Sequence, residues 1–218
     1  MPRWALLIAV LAVLGCQRAA PPAAPQFGSI GAFAASILLQ TRAPDGEGEV
    51  FTVRLWRAAQ GDARLRVQKL DVDLIDGLLR RDGSFIAWSP RERVATSGGA
   101  DAAPPLLADV RWLLRELAEG PEETGVADRD AEGRPLARVI GERRIVYARW
   151  QDYDGRWRPS LIRIVERDGR QIAMRLKALD IVPAISAERL RLSVPEDAAV
   201  VAPAAFLERI AGSESSVR

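Results

Sequence analysis

Apolar residues recur at every second position over much of this chain. Phe33, Ala35, Ile37 and Leu39 alternate with Ala34, Ser36, Leu38 and Gln40, and Phe51, Val53 and Leu55 alternate with Thr52, Arg54 and Trp56. A period of two sets one face of each segment against a core, so both runs predict long antiparallel strands. The same reading predicts strands at 63–69, with Leu65 and Val67 on one face, and at 74–80, 84–88, 143–150, 159–167, 171–179 and 190–194. In the clearest hairpin, Ile162 and Ile164 face Ile172, Met174 and Leu176 across Asp168-Gly169.

Asp-Gly also occurs at Asp45-Gly46, Asp82-Gly83 and Asp154-Gly155, each between alternating runs. Gly tolerates positive φ and Asp can accept a hydrogen bond from its own turn, which favours tight type I′ hairpins and an up-and-down meander. One segment breaks the period. Leu106, Leu107, Val110, Leu113, Leu114 and Leu117 recur at helical spacing, with Pro104-Pro105 at the first turn and Gly120-Pro121 as the stop. The polar side of this amphipathic helix carries Asp109, Arg111, Arg115 and Glu116, which read as a solvated face. The acidic, turn-rich stretch 119–134 reads as a surface loop, 203–211 as a short final helix and 212–218 as a fraying end.

The first sixteen residues are of another kind. Arg3 is their only charge, the apolar run 4–14 is about half the length that spans a bilayer, and small Gly15 precedes the only cysteine, Cys16. This describes a cleavable secretory signal ending at a lipid-attachment site. Residues 17–26 contain three prolines and no apolar period, so they read as an extended tether. The expected organisation is a signal at 1–15, a lipidated Cys16 and tether over 16–26, and a single domain over 27–218. With its one cysteine used for the anchor, that domain has no disulfide and depends on packing.

Histidine is absent, which removes Ser-His-Asp and Cys-His catalysis and the common zinc sites. No nucleotide loop or nucleophile elbow occurs, so no enzyme, cofactor or metal is expected. Formal net charge is +2, from 31 basic and 29 acidic residues, and composition alone indicates neither a nucleic-acid-binding field nor any single-sign patch. Asp71, Asp73 and Asp76 cluster before and within a strand, but without a glycine-bracketed ligand loop they read as a polar edge. Trp56, Trp88, Trp112, Trp150 and Trp157 lie near arginines in sequence, suited to an amphipathic rim or to ordinary packing under guanidinium groups.

Val13-Leu14-Gly15-Cys16 resembles the lipobox of bacterial lipoproteins. That resemblance implies cleavage before Cys16, acylation of its sulfur and new amine, and, because Gln17 is not aspartate, release to the periplasmic face of the outer membrane, or anchoring in the cell membrane where the host has a single membrane. The domain's meander with one mid-chain helix resembles the LolA and LolB lipoprotein carrier and receptor family. The runs that carry it are 63–69, 78–91 (LLRRDGSFIAWSPR), 153–164 (YDGRWRPSLIRI) and 192–198. The chain departs from that family in leaving little room for a helix before the first strand. Neither the carrier's functional arginine nor the receptor's protruding apolar loop residue maps onto a position.

The resemblance implies an α+β, mainly β fold, in which a curved antiparallel sheet forms an unclosed half-barrel around the mid-chain helix. If the sheet curls without closing, Phe33, Ile37, Leu39, Phe51, Val53, Leu55, Leu65, Val67, Leu113, Ile162, Ile164, Met174 and Leu176 line a cavity for a lipid or an acylated protein client. The same side chains could instead make a dry, filled core, as in a structural or assembly subunit of a cell-envelope complex. Both readings stay open at this level.

Overall fold

The structure, a computed structural model, describes residues 26–103 and 105–214. The signal at 1–15, Cys16, all but the last residue of the tether and the end of the C-terminal tail lie outside them. Twelve strands form one sheet: β1 Ala32–Arg42, β2 Gly48–Arg57, β3 Ala63–Lys69, β4 Val72–Leu79, β5 Phe85–Ser89, β6 Val94–Gly98, β7 Val126–Arg129, β8 Pro135–Ile140, β9 Arg143–Tyr153, β10 Arg156–Val165, β11 Gln171–Val182 and β12 Ala199–Val200. Their order, β12-β6-β5-β4-β3-β2-β1-β11-β10-β9-β8-β7, is that of two meanders joined where β1 pairs with β11. All pairings are antiparallel except the two-residue β12–β6 contact. The sheet is curved and unclosed, with β7 and β12 at its edges.

The period-two residues make the concave side. Phe33, Ile37 and Leu39 of β1, Val53 and Leu55 of β2, Leu65 and Val67 of β3, Ile162 and Ile164 of β10 and Met174 and Leu176 of β11 are all buried in one core. Helix α1, Pro105–Glu119, lies against it through Leu107, Val110, Leu113, Leu114, Leu117 and Ala118, and α2, Pro203–Glu214, adds Phe206 and Ile210. The register across β10 and β11 sets Ile162 opposite Met174 and Ile164 opposite Ile172, as the alternation predicts.

The turns differ from the expectation. Only Asp154-Gly155 has both residues at positive φ, +55° and +77°, as type I′ requires. At the other three Asp-Gly turns the glycine alone is left-handed and donates to a carbonyl three residues back: Gly46 to Ala43, Gly83 to Arg80 and Gly169 to Glu166, each at 3.0 Å. These are three-residue loops in which a type I turn precedes a left-handed residue. The aspartate side chain still serves its own turn, accepting from the amides of Glu47, Ser84 and Arg170.

Three element boundaries also change. The 119–134 stretch contains β7, which pairs with β8; its residues are polar because it is an edge strand, and an edge ladder needs only backbone. The 190–194 segment is not a strand. After β11 the chain crosses the convex face, where Arg64 donates to the carbonyls of Arg189 and Arg191 and Arg189 covers Trp56, before Ala199 reaches the β6 edge. The final helix continues to Glu214 rather than fraying from 212.

Candidate functional site

A cavity of about 440 Å³ opens on the concave side between the ends of β1, β2, β3 and β11 and the two helices. Its wall is mostly apolar, from Leu39, Phe51, Val67, Leu74, Ile75, Val110, Leu113, Ile172, Leu207 and Ile210, with Thr41, Glu49, Asp109 and Arg170 as the polar residues. Its volume falls within the ~300–1,000 Å³ typical of ligand sites. Of the residues expected to line a cavity, Leu39, Phe51, Val67 and Leu113 do so. Phe33, Ile37, Val53, Leu55, Leu65, Ile162, Ile164, Met174 and Leu176 lie in the packed core and do not line this opening. The half-barrel is thus filled along most of its length and open at one end.

Two of the polar residues of the cavity, Asp109 and Arg170, belong to an ion network. Arg143 of β9 reaches both Asp109 of α1 at 3.4 Å and Glu166 at 2.9 Å, and Arg170 donates to Glu166 at 2.6 Å. The hydrogen bond from Arg170 holds the Glu166 carboxyl below its ordinary range. Burial acts the other way on Asp109, pushing its carboxyl up against the pull of Arg143 and Arg170. The cavity therefore offers an apolar chain a mostly apolar wall and offers a polar head group the Arg170 guanidinium and Thr41 among its lining residues. Nothing in it forms a nucleophile and base pair.

Beside this opening the β3–β4 turn presents Leu70, which is 91% exposed at φ +50°, followed by Asp71 at +65°. A left-handed conformation is costly for a bulky residue, about 1–2 kcal/mol, yet the turn holds leucine there in full contact with water. Half-exposed Val50 and Val72 flank it. Lys69 bonds Glu49 at 2.8 Å and lies over the Phe51 ring, linking this tip to the cavity wall. Sequence patterning missed Leu70 because a single apolar residue between Lys69 and Asp71 breaks no period.

Two buried arginines sit deeper. Arg138 of β8 has no solvent exposure and donates to Glu116 of α1 at 2.8 Å and to Tyr147 at 3.1 Å, while the Tyr147 hydroxyl donates to Glu116 at 2.9 Å. Asp109 and Glu116 are thus buried partners, not parts of a solvated helix face, because Arg143 and Arg138 of the sheet reach them; Arg111 is partly buried and Arg115 stays exposed, as expected. Burial raises the Glu116 carboxyl above its ordinary range, with Tyr147 and Arg138 pulling it back. Arg158 of β10, also fully buried, donates only to backbone carbonyls, those of Leu117, Ala118, Gly28 and Trp157.

The other singled-out residues serve structure. Asp76 pairs with Arg64 at 2.5 Å, and Asp73 accepts from Gln68 at 2.7 Å. Arg134 covers Trp157, and Trp150 packs against Phe27 and Tyr147.

No protein-family model and no curated protein matches the sequence. Solved structures do match. A LolA-superfamily protein from Nitrosomonas europaea superposes with a TM-score of 0.54 over 74% of this chain and 90% of its own, at 9% identity. The fold is LolA/LolB-like. An outer membrane lipoprotein-sorting protein domain from Vibrio parahaemolyticus gives a TM-score of 0.51 at 10% identity, covering 74% and 89% of the two chains. A DUF1329-family protein from Desulfovibrio piger gives 0.54 at 12% identity, over 74% and 90%. Identities of this size speak to architecture, so the LolA-like fold here is one of backbone and topology.

Proposed function

We propose that the protein binds the acyl chain of a lipid, or of an acylated protein client, in the open end of its half-barrel. It would do so as a lipoprotein anchored through Cys16 to the periplasmic face of the outer membrane. The observation that carries the reading is the apolar cavity on the concave side of a LolA-like fold, opening beside an exposed apolar tip. The mechanism is burial without covalent chemistry: the chain enters past Val110 and Leu207, Arg170 meets its polar head, and Leu70 with Val50 and Val72 marks where a membrane or client would meet the opening. A client role in lipoprotein or lipid trafficking is supported by the name of the Vibrio neighbour and by the family resemblance of the sequence.

The test is native mass spectrometry with lipid extraction on the chain from Gln17 onward, exported under a signal that adds no lipid. Stoichiometric co-purified lipid, lost in Leu207→Trp, which sets an indole in the cavity, is the expected result. A clean apo mass with no uptake of added fatty acid or lysophospholipid would sink the carrier reading. The filled part of the core would then favour an envelope assembly subunit.

A further inference from the structure

The convex face of the sheet carries a charge pattern that a net charge of +2 conceals. Across β9, β10, β11, β1 and β2 its outward positions include Arg144, Arg163, Arg175, Lys177 and Arg54, all exposed. Among the described residues, none of the five has an ion-pair or hydrogen-bond partner. Asp180 of β11, opposite Ala34, is a carboxylate within these strands, while Asp73 and Asp76 on β4 are taken up by Arg64, Arg66 and Gln68. Arg54 stands directly opposite Arg66 in the β2–β3 register, a like-charge pairing that works against folding.

The same face has a groove of about 360 Å³, floored by Leu38, Leu161 and Ala173 and edged by Arg163, Arg175 and Arg42. Register explains the arrangement. Leu38 pairs with Arg175, and Arg175 with Leu161, while Arg163 pairs with Ala173, so small or apolar side chains alternate with guanidinium groups from strand to strand. Five strands set the cations over about 19 Å. The carrier reading uses none of these residues.

We propose that this convex face docks on the anionic phospholipid headgroups of a bilayer. Guanidinium forks match phosphate oxygens in a bidentate way, and the apolar groove between them suits the boundary between headgroup and acyl chain. The cations are spread in two dimensions with no single line or register. A fluid array of phosphates can move to meet each of them, whereas a folded acidic protein would need a matching lattice. Each cation near such a surface strengthens partition about fivefold. The inference stands whether or not the cavity takes a ligand.

The experiment is co-sedimentation of the chain from Gln17 onward, which holds every described element and carries no anchor. The vesicles are phosphatidylcholine alone or an equal mixture with phosphatidylglycerol. Binding only to the mixed vesicles, abolished in half-molar salt, is expected. Arg54→Gln/Arg163→Gln/Arg175→Gln should weaken it about a hundredfold by the per-cation factor. Arg80→Gln/Arg81→Gln/Arg209→Gln, which removes the same charge elsewhere, should retain most of it, and both variants should keep the wild-type circular dichroism. No binding to the mixed vesicles at low salt, or equal losses in the two triple variants, would overturn the proposal. Capture by polyglutamate without vesicle binding would likewise overturn it and assign the face to an acidic protein.

Discussion

Arg158 provides the sharpest test of the physical account. Helix α1 ends at Gly120, whose φ of +85° lets its amide close on the Glu116 carbonyl at 3.0 Å. The next residue, Pro121, has no N–H, so the Leu117 carbonyl has no donor four residues on. Arg158 supplies one: its Nε donates to Leu117 at 2.5 Å and its Nη2 to Ala118 at 3.0 Å and to Gly28 at 2.7 Å. No carboxylate neutralises it. Burial lowers its pKa to about 10, so it remains a cation at neutral pH and lies favourably at the negative end of the helix dipole.

Arg158→Met removes four hydrogen bonds to a charged donor, each contributing about 1.5–3 kcal/mol, and returns the several kcal/mol that burying the ion costs. Ala118 keeps the Ile30 amide at 2.7 Å, but Leu117 is left unpaired. The balance is a loss of about 2–4 kcal/mol, or about 4–16 °C in Tm for a domain of this size. Urea and thermal unfolding would measure it, with faster hydrogen exchange in the last turn of α1 and at Ile30 as the local signature. The deficit should be the same at low and high salt, because the site is not screened. Arg158→Lys, with one donating head, should recover less than half. A loss under about 0.5 kcal/mol, the range of an ordinary surface change, or full rescue by lysine, would refute the reasoning.

For the buried ion pair of Arg138 and Glu116, Arg138→Met should cost about 3–5 kcal/mol by stranding Glu116, and Glu116→Gln less. The double variant should be more stable than the sum of the two predicts, by at least about 0.5 kcal/mol; strict additivity in a denaturant cycle would deny the coupling. Glu166 is held below its ordinary range in the folded state, so its contribution is complete above the unfolded-state value and is lost as pH falls through the folded one. The advantage of wild type over Glu166→Gln, about 1 kcal/mol given its half-exposed partners, should therefore shrink in melts taken from about pH 7 to about pH 3; a constant difference counts against it. Gly120→Ala should lower Tm more than Gly155→Ala. Both have left-handed φ, but only at Gly120 would a Cβ meet Phe27, at 2.7 Å from its carbonyl oxygen, while at Gly155 nothing lies within 4 Å.

What the linear chain determined was local. A period of two in Phe33–Leu39 and a period near 3.6 in Leu107–Leu117 each specify an element by the face it must bury, so the long strands and the helix were legible without coordinates. Polar edge strands such as β7 were not, because their only bond is the backbone ladder, which leaves no trace in side-chain pattern. The same limit governs the site. Alternation marks Ile162 and Leu39 alike as inward-facing, and only the placement of the helix ends along the sheet decides that one is packed while the other lines an opening. Glu116 reads as a solvated charge until the fold brings Arg138 and Tyr147 of distant strands onto it. The unpaired arginines of the convex face lie in four different strands, and only the register brings them together. Burial and charge pairing are properties of contacts distant in sequence, and those exist only after the chain has folded.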